Sequence, residues 1–207
     1  MVFSSLIFLF IFLPAVLLAY FAVPQRFRAA RNAVLLVFSL FFYLYGEPVG
    51  IFIMLGSILA NYLLAFGVAR ADGNRHRWIL VAAVLLNVGL LGVYKYAGFA
   101  VENINRIFHT ALASPKIAMP IGISFFTFQG MSYVFDVFQR RCTPQKNILN
   151  VATYIALFPQ LVAGPIVRYA DIARELEHRE HSWDNAAAVI SGYDWTALGT
   201  SILSGVT

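Results

Sequence analysis

The chain has 207 residues, of which 60% are hydrophobic and 12% charged, with a mean hydropathy of +0.73. An average soluble domain carries roughly 25% charged residues, so this composition excludes a soluble globular protein and points to an all-α polytopic membrane protein. The formal net charge of +5 and pI near 9.5 come from arginines and lysines in short loops. They follow from membrane topology and exclude nucleic acid as the partner, leaving the lipid bilayer.

In chain order, uncharged runs occupy residues 1–25, 32–46, 48–69, 78–94, 117–135 and 147–167, and about 20 apolar residues span a bilayer as a helix. The first run is not a secretory signal, because Arg26, Arg28 and Arg31 follow it, whereas a signal carries its charges ahead of the apolar stretch. It is expected to remain as a helix with its N-terminus outside. The run at 32–46 is about 22 Å long as a helix. It must borrow flanking residues, let Arg28 and Arg31 snorkel, or stop short of a full span. Three loops read as cytoplasmic: residues 24–32 with Arg26, Arg28 and Arg31; residues 70–77 with Arg70, Arg75 and Arg77 against Asp72; and the loop with Arg140, Arg141 and Lys146. The Gly46-Glu47-Pro48 turn carries a negative charge and reads as the opposite side.

Residues 99–119 place Phe99, Ile104, Ile107, Phe108 and Leu112 near helical spacing among polar residues, the pattern of an interfacial helix. Residues 171–181 read as a solvated surface helix, with Glu175 ahead of Arg179 at i, i+4 and Ile172 and Leu176 on one face. The expected architecture is therefore five to six transmembrane helices with broken or re-entrant and interfacial helices. Cys142 is the only cysteine, which excludes an intrachain disulfide and a thiolate metal site. Its expected state is a free thiol.

Two stretches depart from the ordinary spanning pattern. PIGISFFTFQGMSYVFDVF at 120–138 and ATYIALFPQLVAGPIVRY at 152–169 are apolar yet interrupted by Pro, Gly and Gln. Lipid offers no partner for a backbone group freed by Pro159 or Pro165, or for the amides of Gln129 and Gln160, so such breaks belong inside protein or around a water-filled cavity. These segments are expected to line an internal path. Asn61, Asn87, Thr127 and Asp136 also lie in or at the ends of apolar runs, where interhelical hydrogen bonding is the expected role.

No complete catalytic constellation is visible. His76, His109, His178 and His181 fall in loops or interfacial segments without paired carboxylates or a nucleophile nearby in sequence. His178 and His181 are two metal-type ligands without a third. No metal is expected, and each histidine reads as a solvated or headgroup-contacting side chain.

MVFSSLIFLFIFLP at the start, FYLYGEP at 42–48, PIGISFFTFQGMSYVFDVF at 120–138 and LFPQLVAGPIVRYADI at 157–172 together resemble the membrane-bound O-acyltransferases, most closely their alginate O-acetyltransferase branch. The resemblance runs from Met1 to about Ala188. It implies a bacterial inner-membrane enzyme that takes an acetyl group from a cytoplasmic donor, acetyl-CoA, and passes it to an extracytoplasmic polysaccharide such as alginate, with extracytoplasmic acetyltransferase partner proteins. By motif, Pro120, Gly122, Phe125, Phe126 and Gln129, with Pro159, Gln160, Gly164, Pro165 and Arg168, would shape the family's funnel. The family's catalytic histidine lies in a later transmembrane region, and none of the four histidines here matches it, so no catalytic residue is expected in this chain. Residues 1–188 are expected to be the N-terminal part of the acyltransferase domain, and 189–207 a divergent tail of a frameshifted or truncated product. The alternative is a non-enzymatic transporter or export scaffold, but the two related halves that a transporter of this size usually carries are not visible.

Overall fold

With no water to bond a freed N–H or C=O, an apolar chain in lipid satisfies its backbone within helices, and every regular element among the described residues is helical. The computed structural model describes residues 5–24, 26–110, 118–163 and 168–177, and the chain up to Leu176 forms one compact unit. Helix α1 covers Phe8–Ala22 and opens on a π-helical turn at Phe8–Phe12. Then come α2 (Arg28–Gly46), α3 (Gly50–Arg70) and α4 (Asn74–Leu91), followed by α5 (Ala97–Phe108), α6 (Ile123–Phe138), α7 (Ile148–Ala156), α8 (Phe158–Ala163) and α9 (Tyr169–Glu177). The tail at 189–207, Gly164, Pro165, His178 and His181 lie outside the described residues.

Among the described residues three helices are long and apolar enough to cross a bilayer: Arg28–Gly46, Gly50–Arg70 and Asn74–Phe108. The first is the run that had to borrow flanking residues, and Arg28 and Arg31 indeed open it. Arg31 donates from Nε to the Val23 carbonyl at 2.8 Å and lies over the Tyr20 ring. The third joins α4 to α5 through a π-helical stretch at Gly92–Tyr96, so the expected interfacial helix is continuous with the span before it. At 35 residues this helix is about 52 Å long, well beyond the hydrocarbon thickness of about 30 Å. Its far end, with Lys95, Glu102 and Arg106, extends past the apolar layer.

The runs around 117–135 and 147–167 do not make full-length spans. Gly122, at φ 74, sets the start of α6, which has 16 residues. The second run is cut at Leu157, which leaves the helical region with ψ 115, and yields α7 with 9 residues and α8 with 6. Pro159 sits in the first turn of α8, where its missing N–H has no intrahelical use.

Long-range bonds fix which loops share an end. Asn32 near the start of α2 donates to Asn150 near the start of α7 at 3.1 Å, and Tyr62 late in α3 donates to the Lys146 carbonyl at 2.8 Å. At the opposite end, Tyr43 late in α2 donates to the Ile121 carbonyl before α6 at 2.9 Å. The arginine-bearing turns before α2, between α3 and α4 and after α6 therefore gather at one end. Glu47 and the Pro120–Gly122 turn lie at the other.

The centre is the packing of α3, α4 and α6. Asn61 and Asn87, both fully buried, exchange amide hydrogen bonds. Asn61 Nδ2 donates to Asn87 Oδ1 at 3.1 Å, and Asn87 Nδ2 donates to Asn61 Oδ1 at 2.8 Å. Each amide also donates to the carbonyl one turn back, Ser57 at 2.9 Å and Ala83 at 2.8 Å. Both donors of each NH2 are thus used. Gly130 of α6 faces this pair so closely that a Cβ there would lie 2.6 Å from Asn61 Nδ2. A second cluster stacks Phe8 and Phe12 of α1, Phe42 of α2 and Phe158 of α8 at centroid distances of 5.4 to 5.9 Å. Cys142 follows α6 at the arginine-rich end, half-buried, with its thiol pushed up to about 11 first by burial and then by the Asp136 charge.

Gly130→Ala should lower the thermal unfolding midpoint of the detergent-solubilised protein, with an overpacking cost of about 1–3 kcal/mol. Gly56→Ala, where a Cβ meets nothing within 4 Å, should leave the midpoint unchanged. Because the folded thiol ionises above the ordinary value of 9.0, its thiolate is scarce at neutral pH. The rate of iodoacetamide labelling in the folded protein should therefore keep rising through pH 10, where an ordinary thiol has levelled off. A plateau near pH 9 would contradict this placement of Cys142.

Candidate functional site

The two interrupted segments are brought together. Gly122, in the left-handed region, packs against Leu161 of α8. A Cβ added to Gly122 would lie 3.2 Å from Leu161 Cγ and 3.3 Å from its carbonyl oxygen. The turn before α6 is also held from α2 and α3: Tyr43 donates to the Ile121 carbonyl, and Gly50 lets Pro120 approach so that a Cβ there would be 3.1 Å from Pro120 Cβ. On the far side of the break, the Phe158 N–H donates to Ser39 Oγ of α2 at 3.2 Å. Backbone groups exposed by the interruptions thus find partners on neighbouring helices, as a break at membrane depth requires.

At the arginine-rich end the same segments meet through tyrosines. Tyr133 of α6, Tyr154 of α7 and Tyr169 of α9 are buried side by side, and the Tyr169 ring lies edge-on to the other two at 4.7 and 5.2 Å. Gln145 donates its backbone N–H to Tyr133 OH at 3.0 Å and its amide to Tyr169 OH at 3.2 Å. The buried Asp136 carboxylate accepts from the Ala170 N–H at 3.1 Å, at the first turn of α9. An anion suits that position because the first N–H groups of a helix have no intrahelical acceptor. Ile172 and Ala173 pack against the core, so α9 is docked on one face, where the sequence pattern suggested a solvated helix.

Among the ten motif residues, Pro120, Phe126, Gln129 and Gln160 are buried, and Phe125 and Gly122 are partly buried. Pro159 and Arg168 are exposed. Gly164 and Pro165 fall outside the described residues. Gln129 stands apart: it is fully buried, and neither its Nε2 nor its Oε1 has a hydrogen-bond partner among the described residues; Thr127 Oγ1 is in the same position. An unmet buried polar group costs about 1–3 kcal/mol. Asn61 and Asn87, buried as deeply, are satisfied by each other and by their own helices.

The chemistry available here is hydrogen bonding from neutral groups. An amide and a hydroxyl can orient a hydroxyl or ester group, but they are not a nucleophile and base. No group of three or more metal-ligating side chains exists among the described residues. His76 lies between α3 and the end of α6, and His109 is exposed at the end of α5 in a left-handed conformation. The tyrosine cluster was missed in sequence because each tyrosine reads as one more aromatic in an apolar run. Their spacing across three helices gives no local signal.

No family model matches the chain, and no solved structure matches it. Among curated proteins it is 35% identical over 194 residues to the "Probable alginate O-acetylase AlgI" of Pseudomonas aeruginosa, covering 90% of this chain and 36% of that protein. It is 34% identical over 194 residues to the protein of the same name from Azotobacter vinelandii, covering 90% of this chain and 38% of that one. It is also 27% identical over 234 residues to the "Peptidoglycan O-acetyltransferase" of Helicobacter pylori, covering 99% of this chain and 42% of that one. The chain spans a little over a third of the length of these relatives. Over nine-tenths of its own length it is a relative of the alginate O-acetylases, in the branch of the membrane-bound O-acyltransferases that its four sequence blocks resemble.

Proposed function

We propose that this chain forms the N-terminal portion of a membrane O-acetyltransferase that esterifies an extracytoplasmic polysaccharide, with alginate the leading acceptor and acetyl-CoA the donor. In this reading the protein lies in the bacterial inner membrane. The arginine-rich end faces the cytoplasm by the positive-inside rule, and the first helix starts in the periplasm. The junction of α6 with α7, α8 and α9 is the wall of the acetyl passage, built by Pro120, Gly122, Phe125, Phe126, Gln129, Pro159, Gln160, Gly164, Pro165 and Arg168. The acid-base group comes from outside the described residues, and extracytoplasmic acetyltransferase partners receive the acetyl group.

The observation that carries the reading is the unpartnered amide of Gln129, fully buried in α6, the helix of the first interrupted segment, in a chain similar over 90% of its length to alginate O-acetylases. A buried amide free on both atoms can hold a passing carbonyl and hydroxyl without itself titrating. Peptidoglycan is the second acceptor to consider, because the similarity to the Helicobacter pylori peptidoglycan O-acetyltransferase extends over 99% of the chain.

The test is a fusion of this chain, through the region it shares, to the remaining C-terminal part of the Pseudomonas aeruginosa relative, in a strain deleted for its own alginate O-acetylase. Ester-linked acetyl should return to the secreted alginate, measured by proton NMR, and Gln129→Leu should reduce it about tenfold at equal membrane levels. Acetyl on muramic acid with none on alginate would move the acceptor to peptidoglycan. A fusion present in the membrane that acetylates neither polymer would refute the reading.

A further inference from the structure

The arginine-rich end of the bundle holds a cavity of about 390 Å3 that the passage does not use. The last turn of α3 contributes Val68, the α3–α4 turn contributes Asp72, the first turn of α4 contributes His76, and the turn after α6 contributes Arg140, Arg141 and Cys142. His76 is held in place. Its ring stacks on Phe138 with centroids 4.3 Å apart and planes within 14°, and its Nδ1 lies 2.8 Å from the Val68 carbonyl. A carbonyl can only accept, so Nδ1 carries the proton and Nε2 remains as the ring's other polar atom.

The two arginines are held by an unusual turn. Helix α6 ends with Arg141 N–H bonded to the Asp136 carbonyl at 2.9 Å and Arg140 N–H bonded to the Val137 carbonyl at 3.0 Å. This pair of bonds closes a helix around a left-handed residue, a position normally filled by glycine. Here that residue is Arg140, at φ 56. A long cationic side chain is kept where the backbone favours none, and strain of this kind collects at functional positions. The turn presents two adjacent guanidiniums, both from exposed residues, on the cavity that His76 also lines.

We propose that this cavity binds a phosphoryl group, with Arg140 and Arg141 as its ligands. Guanidinium forks match phosphate oxygens in pairs, and the two on this turn line a space larger than a phosphate. Asp72 on the same wall disfavours a bare polyanion and suits a ligand with an amine beside its phosphate. Such a phosphoryl group comes either from a phospholipid headgroup, since this end lies at the boundary of the apolar layer, or from a soluble phosphorylated molecule. The proposal stands on the cavity and the turn, and holds whether or not the chain serves acyl transfer.

The purified chain in neutral detergent can be titrated with phosphoethanolamine at constant ionic strength, and, in parallel, examined by native mass spectrometry for retained phosphatidylethanolamine. At least one probe should bind saturably. Arg141→Gln should weaken that binding at least about tenfold, the loss expected for a charge-assisted pair. Arg140→Gly should weaken it likewise while raising the unliganded unfolding midpoint, because glycine relieves the left-handed position; this separates ligand loss from misfolding. Arg75→Gln, an exposed charge at the same end but outside the cavity, should leave binding unchanged. Phosphoethanolamine binding alone assigns a soluble ligand, and lipid retention alone assigns a headgroup. If neither probe binds, or if Arg75→Gln weakens binding as much as Arg141→Gln, the proposal is wrong.

Discussion

The fold depends on two asparagines that have nowhere else to bond. In lipid an amide without a partner costs several kcal/mol, so Asn61 and Asn87 are tolerable only face to face. Their reciprocal bonds, with each spare N–H returned to its own helix, fix α3 against α4 in one register, since a slide of one turn would leave both amides unmet. The direct energy of such a pair in a membrane is modest, about 0.6–2 kcal/mol. The penalty for the alternatives supplies the specificity. Gly130 then lets α6 lie on that seam without a side chain between, and the position of α6 sets where its broken start, Pro120 to Gly122, meets α8. The register at the centre therefore reaches the place where Gly122 packs against Leu161.

Much of this was legible in the sequence, and the limits were physical. Polar residues at membrane depth announced interhelical bonds, and Asn61 and Asn87 met that expectation; that they bond each other depends on helix rotation, which the nearly uniform apolarity around α3 and α4 does not encode. Pro, Gly and Gln marked the two segments; the second is cut at Leu157 before Pro159, whereas in the first the helix begins after Gly122 and runs unbroken through Gln129 and Gly130. Among the described residues the runs at 117–135 and 147–167 yield shorter helices, because an apolar run measures hydrophobicity and says nothing of where the backbone leaves the helix. The uncharged run that ends at residue 94, before Lys95, suggested an end to the fourth span, but a π-helical stretch carries the helix on through it. His76 looked like a solvated loop residue. Its stacking on Phe138 joins segments far apart in sequence and had no local sign.

Charge shows the same division. The arginines after α6 read as topology signals, and their gathering with Arg70 and Arg75 at one end of the bundle agrees with that role. Topology alone does not explain why one of them occupies a left-handed position that glycine fills more easily. A positive-inside signal works from any residue in the loop, so the strained position is an additional constraint that the charge count does not require.

The interruptions and the unmet amide belong to one pattern. Where the chain breaks, neighbours supply what the backbone lacks: Tyr43 for the Ile121 carbonyl, Ser39 for the Phe158 N–H and Asp136 for the Ala170 N–H. A fold that meets these backbone groups one by one, and saturates Asn61 and Asn87 nearby, does not lack the means to satisfy a glutamine. Replacing Gln129 by leucine would remove the unmet polar atoms at nearly the same volume, so stability alone favours the change. Glutamine at that position makes sense if its amide bonds something that is not a fixed part of the protein, which is what the wall of a passage for a polar group requires.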